Sequence, residues 1–155
     1  MPSVEERLRT AGFELPDVAT PVANYTPTLQ VGNLMFVSGQ GPTINGQPIY
    51  RGVVGVTISE QDAVKAAELC ALNSIAALKH GLGDLGRVKR IVKLLGFVAS
   101  GPDFERQPFV MNGASDLLVT AFGEAGRHVR SALGTNKLPF DIPVEIEILA
   151  EIHDE

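Results

Sequence analysis

The clearest pattern of apolar and polar positions lies near the C-terminus, where Val144, Ile146, Ile148, Ala150 and Ile152 alternate with Glu145, Glu147, Leu149, Glu151 and His153. A period of two sends successive side chains to opposite faces, so this run predicts a strand with one buried face. Spacings of three and four govern the middle of the chain. Val64, Ala67, Ala71, Ile75, Leu78 and Leu82 form one apolar stripe behind Ser59 and Asp62, which have the character of a helix start. Beside the stripe, Ala63, Ala66, Cys70, Ser74 and Ala77 are small enough for this helix to lie close on a sheet, and Gly81 is expected to end it. Pro108 suits the first turn of a second helix with an inward stripe of Val110, Ala114, Leu117, Leu118, Ala121 and Phe122.

The remaining elements are shorter. Thr28 to Val31 and Leu34 to Ser38 are β-prone runs joined by Gly32-Asn33, a hairpin signal. Asn45-Gly46 marks another turn, and the valine-rich run Gly52 to Thr57 is expected as a third strand. Val88 to Ala99 satisfies helical spacing too, but its β-branched content and Gly96 favour a strand. Ser3 and Glu6 have capping-box spacing, predicting a short helix from Val4 to Ala11 stopped by Gly12, and the prolines between Leu15 and Pro27 predict an extended arm. We therefore divide the chain into an N-terminal helix and arm, 1–24, and a main domain, 25–155. With a further strand around Arg130, the order predicts an α+β sandwich: a mixed six-stranded sheet with two helices on one face.

Composition narrows the function. The 155 residues suffice for one core. A net charge of −5 has the wrong sign for a protein held mainly by phosphates, which argues against a nucleic-acid partner. One cysteine excludes an internal disulfide, and the three scattered histidines write no zinc motif. The charged start, Glu5, Glu6, Arg7 and Arg9, is unlike a signal peptide, and no apolar run is long enough for a membrane span, so a cytoplasmic location without membrane contact is expected.

Gly81, Gly83 and Gly86 fit G-x-G-x-x-G, but the context is reversed. A dinucleotide loop follows a strand and opens a helix, whereas this loop closes a helix and leads into a strand, so it reads as a helix end. Cys70 has no cation or histidine within a turn to activate it and reads as packing. No nucleophile elbow, phosphate loop or H-E-x-x-H occurs. More informative are Phe36-Val37-Ser38-Gly39-Gln40, where Gly39 permits close backbone approach, and His128-Val129-Arg130-Ser131-Ala132. Arg130 could hold a carboxylate through two parallel hydrogen bonds, or form an ion pair at a surface or subunit interface; spacing does not decide. Glu145 shares its strand face with Glu147 and Glu151, as a solvated acidic face would.

Taken in order, Asn24-Tyr25, Val31-Gly32-Asn33-Leu34, Val37-Ser38-Gly39-Gln40, Gly52-Val53-Val54-Gly55, Asp103-Phe104, Arg130-Ser131, Leu138-Pro139 and Val144-Glu145-Ile146-Glu147 make the sequence resemble the reactive intermediate deaminases, the Rid or YjgF-like proteins, also called the endoribonuclease L-PSP family. The resemblance implies a chorismate-mutase-like (bacillus type) fold and a homotrimer with clefts between neighbouring subunits. It implies hydrolysis of small enamine and imine intermediates to 2-oxo acids and ammonia, without metal or cofactor. Arg130 matches the family arginine that holds the substrate carboxylate, and Glu145 the acidic residue associated with the attacking water. Tyr25, Asn112 and Gly39 match cleft positions, with the Gly39 backbone lining the pocket.

The match has departures. Ala132 stands where many active members carry cysteine, so no thiol can serve there. Residues 1–24 extend beyond the compact family domain, and Ser131 to Lys137 is polar where valines are usual. A trimer that binds small carboxylate metabolites without turnover is the alternative. Ribonuclease activity is opposed by the acidic charge and the lack of a basic, aromatic stripe.

Overall fold

The computed structural model describes residues 1–18 and 23–154. Ser3 opens helix α1 (Val4–Thr10) with a complete capping box, and Leu8 anchors this helix in the main hydrophobic core. Residues 19–22 of the arm expected over Leu15 to Pro27 lie outside the described residues; the others form neither helix nor strand. Strands β1 (Thr28–Val31) and β2 (Leu34–Gln40) make the predicted hairpin, followed by a small hairpin of β3 (Thr43–Ile44) and β4 (Gln47–Pro48). Then come helix α2 (Glu60–Leu82), strand β5 (Val88–Ala99), helix α3 (Gln107–Phe122), strand β6 (Val129–Thr135) and strand β7 (Val144–Ile152).

The main sheet is mixed and five-stranded, in the order β1-β2-β7-β5-β6, with only β5 and β6 parallel. The sixth strand expected over Gly52 to Thr57 is absent. Gly52 and Gly55 adopt φ of 128° and 84°, and the carbonyl of Val53 accepts from the amides of Val56, Thr57 and Ile58. This segment coils into a turn that buries Val54, and its only link to the main sheet among the described residues is an isolated bridge, in which the Val54 amide donates to the carbonyl of Ala99 and the Val54 carbonyl accepts from Gly101. The second small sheet is β3-β4, turned at Asn45-Gly46 with both residues at positive φ.

Helices α2 and α3 pack against each other on one face of the sheet, α2 over β2 and β7, α3 over β5 and β6. Gly113 of α3 meets the backbone of Val64 so closely that a Cβ there would strike the Val64 carbonyl. The small residues of α2 are buried as expected: Ala63, Ala66, Cys70, Ser74 and Ala77 are all in the interior. That helix passes Gly81 and ends one residue later, capped by Gly83 at φ 82°. The glycine-rich stretch therefore closes α2 and runs through a 3₁₀ turn, Leu85–Arg87, into β5.

The other face of the sheet carries no helix. It presents Leu29, Phe36 and Leu133, 59%, 45% and 49% exposed, besides Glu145 and Glu147. Among the described residues no helix is long and apolar enough to cross a membrane.

Candidate functional site

The first strong feature is an irregularity. Between Val37 and Gln40, β2 advances one residue further than its partner β7, so Ser38 and Gly39 together face Glu147 in a β-bulge. The bulge opens β2 beside Glu145. A Cβ on Gly39 would lie 3.1 Å from both the carboxyl carbon and Oε1 of Glu145, so the glycine makes room for that side chain. Asn73, buried on α2, holds the following loop by donating to the carbonyls of Gly41 and Thr43, each at 2.9 Å. A bulge on one side and a tethered loop on the other thus frame a cavity of about 410 Å³, lined by Tyr25, Gly39, Gln47, Arg51, Phe140 and Glu145 among others.

Glu145 is half-buried, and its carboxyl pKa is raised, by burial first and by the neighbouring Glu147 carboxylate second. Such a carboxyl is a better proton acceptor than an exposed one and can exchange a proton with a bound water. Tyr25 stands at the mouth, more than half exposed.

Arg130 lies elsewhere in the chain. Its Cα is opposite Leu94 in the β5–β6 register, while Glu145 is opposite Phe97 in the β5–β7 register. Leu94 and Phe97 are an odd number of positions apart, so Arg130 and Glu145 point to opposite faces of the sheet. The guanidinium is held on the helix side, with Nη1 donating to Ser115 Oγ at 3.1 Å and Nη2 to the carbonyl of Pro108 at 3.2 Å. Ser115 Oγ is in turn 2.9 Å from His128 Nε2, and His128 Nδ1 is 2.6 Å from the carbonyl of Gly126. A carbonyl only accepts, so Nδ1 carries a proton; in the neutral ring Nε2 then accepts from the serine hydroxyl, which accepts from Arg130. Asn112, exposed on α3, lines a different hollow with Phe13, Glu68 and Asp116. One chain therefore brings Tyr25, Gly39 and Glu145 together and leaves Arg130 and Asn112 at other places.

Sequence reasoning missed Arg51 and Ser115, and it gave His128 no role although that residue lies in the run singled out around Arg130. His128 had a usable signal, since two residues before Arg130 on extended chain is the same face. Arg51 had none, because it reaches the cavity through a contact with Phe140, 89 positions away. Cys70 is fully buried, and burial pushes its thiol well above the ordinary range, with Glu145 adding to the effect. Among the described residues no group of three or more His, Cys, Asp or Glu side chains could hold a metal ion.

Comparison with known proteins agrees with this architecture. Residues 5–152 match the family described as "YjgF/chorismate_mutase-like, putative endoribonuclease". Protein TCP17 of Trypanosoma cruzi is 41% identical over 152 residues, covering 97% of this chain and 95% of that protein. The crystal structure of Atu1372 from Agrobacterium tumefaciens, a protein of unknown function, superposes with a TM-score of 0.91 at 47% identity, over 97% of this chain and 92% of that one. TdcF of E. coli, solved with bound serine, shares the fold at 22% identity and a TM-score of 0.64, over 88% and 94% of the two chains. With its α+β architecture, its bulged strand beside a half-buried glutamate and nearly its whole length matched, the chain belongs to the YjgF/chorismate-mutase-like family, the Rid or L-PSP proteins.

Proposed function

We propose that this protein is a hydrolytic deaminase of small carboxylate-bearing imines and enamines, and that it works as a homotrimer in whose clefts Tyr25, Gly39 and Glu145 of one chain meet Arg130 of the next. The observation that carries the reading is the half-buried Glu145, with its raised pKa, in a cavity opened for it by Gly39. The reaction asks for little more than that. An imine carbon is already electrophilic, so a positioned water and a nearby proton acceptor suffice. Glu145 takes a proton from water as the oxygen adds to the C=N carbon, and the nitrogen gains a proton. The resulting carbinolamine then loses its C–N bond, the nitrogen leaves as ammonia with a further proton, and the carbonyl of a 2-oxo acid remains. Water and imine are the only reactants, and no electrons are exchanged.

Arg130 would hold the substrate carboxylate by charge-assisted hydrogen bonds, with Ser115 and His128 fixing the orientation of its fork. Because Arg130 and Glu145 face opposite sides of their own sheet, a shared cleft needs the arginine of a second chain. The apolar sheet face bearing Leu29, Phe36 and Leu133 supplies surface for such an assembly. Asn112 is assigned to the same cleft through the resemblance, and residues 1–24 are read as a flanking helix and arm on the 25–155 domain. The serine held by TdcF, a small carboxylate, is in keeping with the substrate class.

The test is ammonia release from 2-iminopropionate and bulkier imino acids generated in place. Acceleration over buffer by the wild type, lost in a folded Glu145→Gln variant, is the expected result. Binding of 2-oxo acids without any acceleration would instead make the protein a non-catalytic carboxylate binder and overturn the deaminase reading.

A further inference from the structure

The cavity that holds Glu145 contains one positive side chain among the described residues that line it, Arg51. An exposed arginine is ordinarily free to wander, but this one is tied down. Its Nη1 donates to the carbonyl of Phe140 at 3.1 Å, and the next residue, Gly52, donates its amide to the carbonyl of Asp141 at 2.7 Å. Gly52 reaches that bond at φ 128°, and a Cβ on it would come 2.7 Å from Thr57 Oγ1. The acceptors sit on a turn that is itself unusual. Phe140 and Asp141 are consecutive non-glycine residues in the left-handed region, at φ 59° and 61°. Side chains at such angles cost free energy and persist only where surrounding structure imposes them. One hydrogen bond from the guanidinium and one from the adjoining backbone therefore tie Arg51 to a strained turn at the rim of the cleft.

Arg51 has no carboxylate partner within the described residues, and it forms no ion pair with Glu145 across the cavity. Its Nε and Nη2 atoms make no hydrogen bond to the described residues, and in a guanidinium these two lie side by side, the edge that matches the two oxygens of a carboxylate. Phe140, 74% exposed, adds an apolar wall beside it. A lone arginine offers a forked monoanion site; a phosphate dianion would call for further donors or cations, which this rim does not provide. A cavity of about 410 Å³ also holds a larger molecule than a three-carbon imine.

We propose that Arg51 binds a second carboxylate at the far end of the substrate, so that the protein acts on imines of dicarboxylic amino acids in preference to those of simple alkyl ones. This inference rests on the reading of the Glu145 cavity as the substrate site. Arg51 is a specificity residue in this scheme. It leaves the chemistry at the C=N carbon to Glu145.

The experiment has a binding arm that needs no turnover. Calorimetry compares 2-oxoglutarate, which has two carboxylates, with 2-oxobutyrate, which has one, on the wild type, Arg51→Gln and Arg51→Lys, each confirmed folded by its thermal melt. Ammonia release from 2-iminoglutarate and 2-iminobutyrate is measured in parallel. The wild type should favour the dicarboxylate about ten- to a hundredfold, the range of a charge-assisted pair. Arg51→Gln should collapse that ratio towards one, and Arg51→Lys should restore part of it. Equal affinity of the wild type for both acids would overturn the proposal. So would an Arg51→Gln variant that weakens both acids by the same factor, because that is the signature of an arginine that only braces the Phe140 turn. Arginine-dependent preference in calorimetry with no ammonia release from either imine would uphold the dicarboxylate site and refute the deaminase chemistry, so the two failures are told apart.

Discussion

Glu145 is the residue on which stability and function pull in opposite directions. Burial and the Glu147 carboxylate raise its pKa, so the fold favours the protonated form. Its contribution to stability is fully present below the ordinary carboxylate range and is lost as pH rises through the raised value. Glu145→Gln mimics the protonated form. It is expected to melt higher than the wild type at neutral pH and alike near pH 4, while losing about 10²- to 10⁴-fold in imine hydrolysis, the usual worth of a general base. Differential scanning calorimetry at both pH values, beside the ammonia assay, checks the pair of effects. Arg130→Lys keeps the charge and removes the fork, and it should cost about ten- to a hundredfold in turnover efficiency. A lysine variant with undiminished turnover would take Arg130 out of the site. Cys70 is buried with its thiol pKa pushed up, so native protein should resist thiol reagents and Cys70→Ser should retain activity; rapid labelling of folded protein would contradict this. Glu145 and Arg130 were singled out because each lies in a short run that resembles the family; the structure puts Glu145 in the cavity beside the bulge and Arg130 on the other face of the sheet. The Arg51 clamp was not, since nothing local announces a bond between residues 89 positions apart.

At the scale of elements, periodicity found α2, α3 and β7 because burial dictates it, whereas β5, whose spacing suits a helix too, was read from its β-branched content and Gly96. β7 alternates between core and opposite face, and every residue of the predicted α3 stripe is buried. The same reasoning failed at Gly52 to Thr57, where valine content suggested a strand and glycine freedom won. Two glycines at positive φ let the segment turn back on itself and bury Val54, and this turn carries the Gly52 bond to Asp141. Bulges are equally invisible to alternation, because the extra residue at Ser38-Gly39 shows only when β7 is laid beside β2. The close approach of α2 and α3 yields the prediction at this scale. Gly113→Ala puts a methyl against the Val64 carbonyl, a backbone atom that cannot swing aside. It should destabilise the protein by about 1–3 kcal/mol, as overpacking does, measured as a lower denaturation midpoint in urea. An unchanged midpoint would mean that the helices separate at no cost.

For the whole molecule, the decisive fact is that one chain does not assemble the proposed site. Arg130 projects to the helix side and Glu145 to the uncovered side, where apolar residues stand exposed. The proposed trimer would account for both, and light scattering should then give a trimeric mass. The most direct measurement of the central claim mixes two defective chains. Glu145→Gln and Arg130→Ala, co-expressed with different tags and purified through both, should each be inactive alone. If clefts join the glutamate of one chain to the arginine of its neighbour, every mixed trimer has both residues intact at about a third of its sites. The ammonia assay should then recover about that fraction of wild-type imine hydrolysis. Mixed assemblies that form but stay as inactive as either parent would contradict the account.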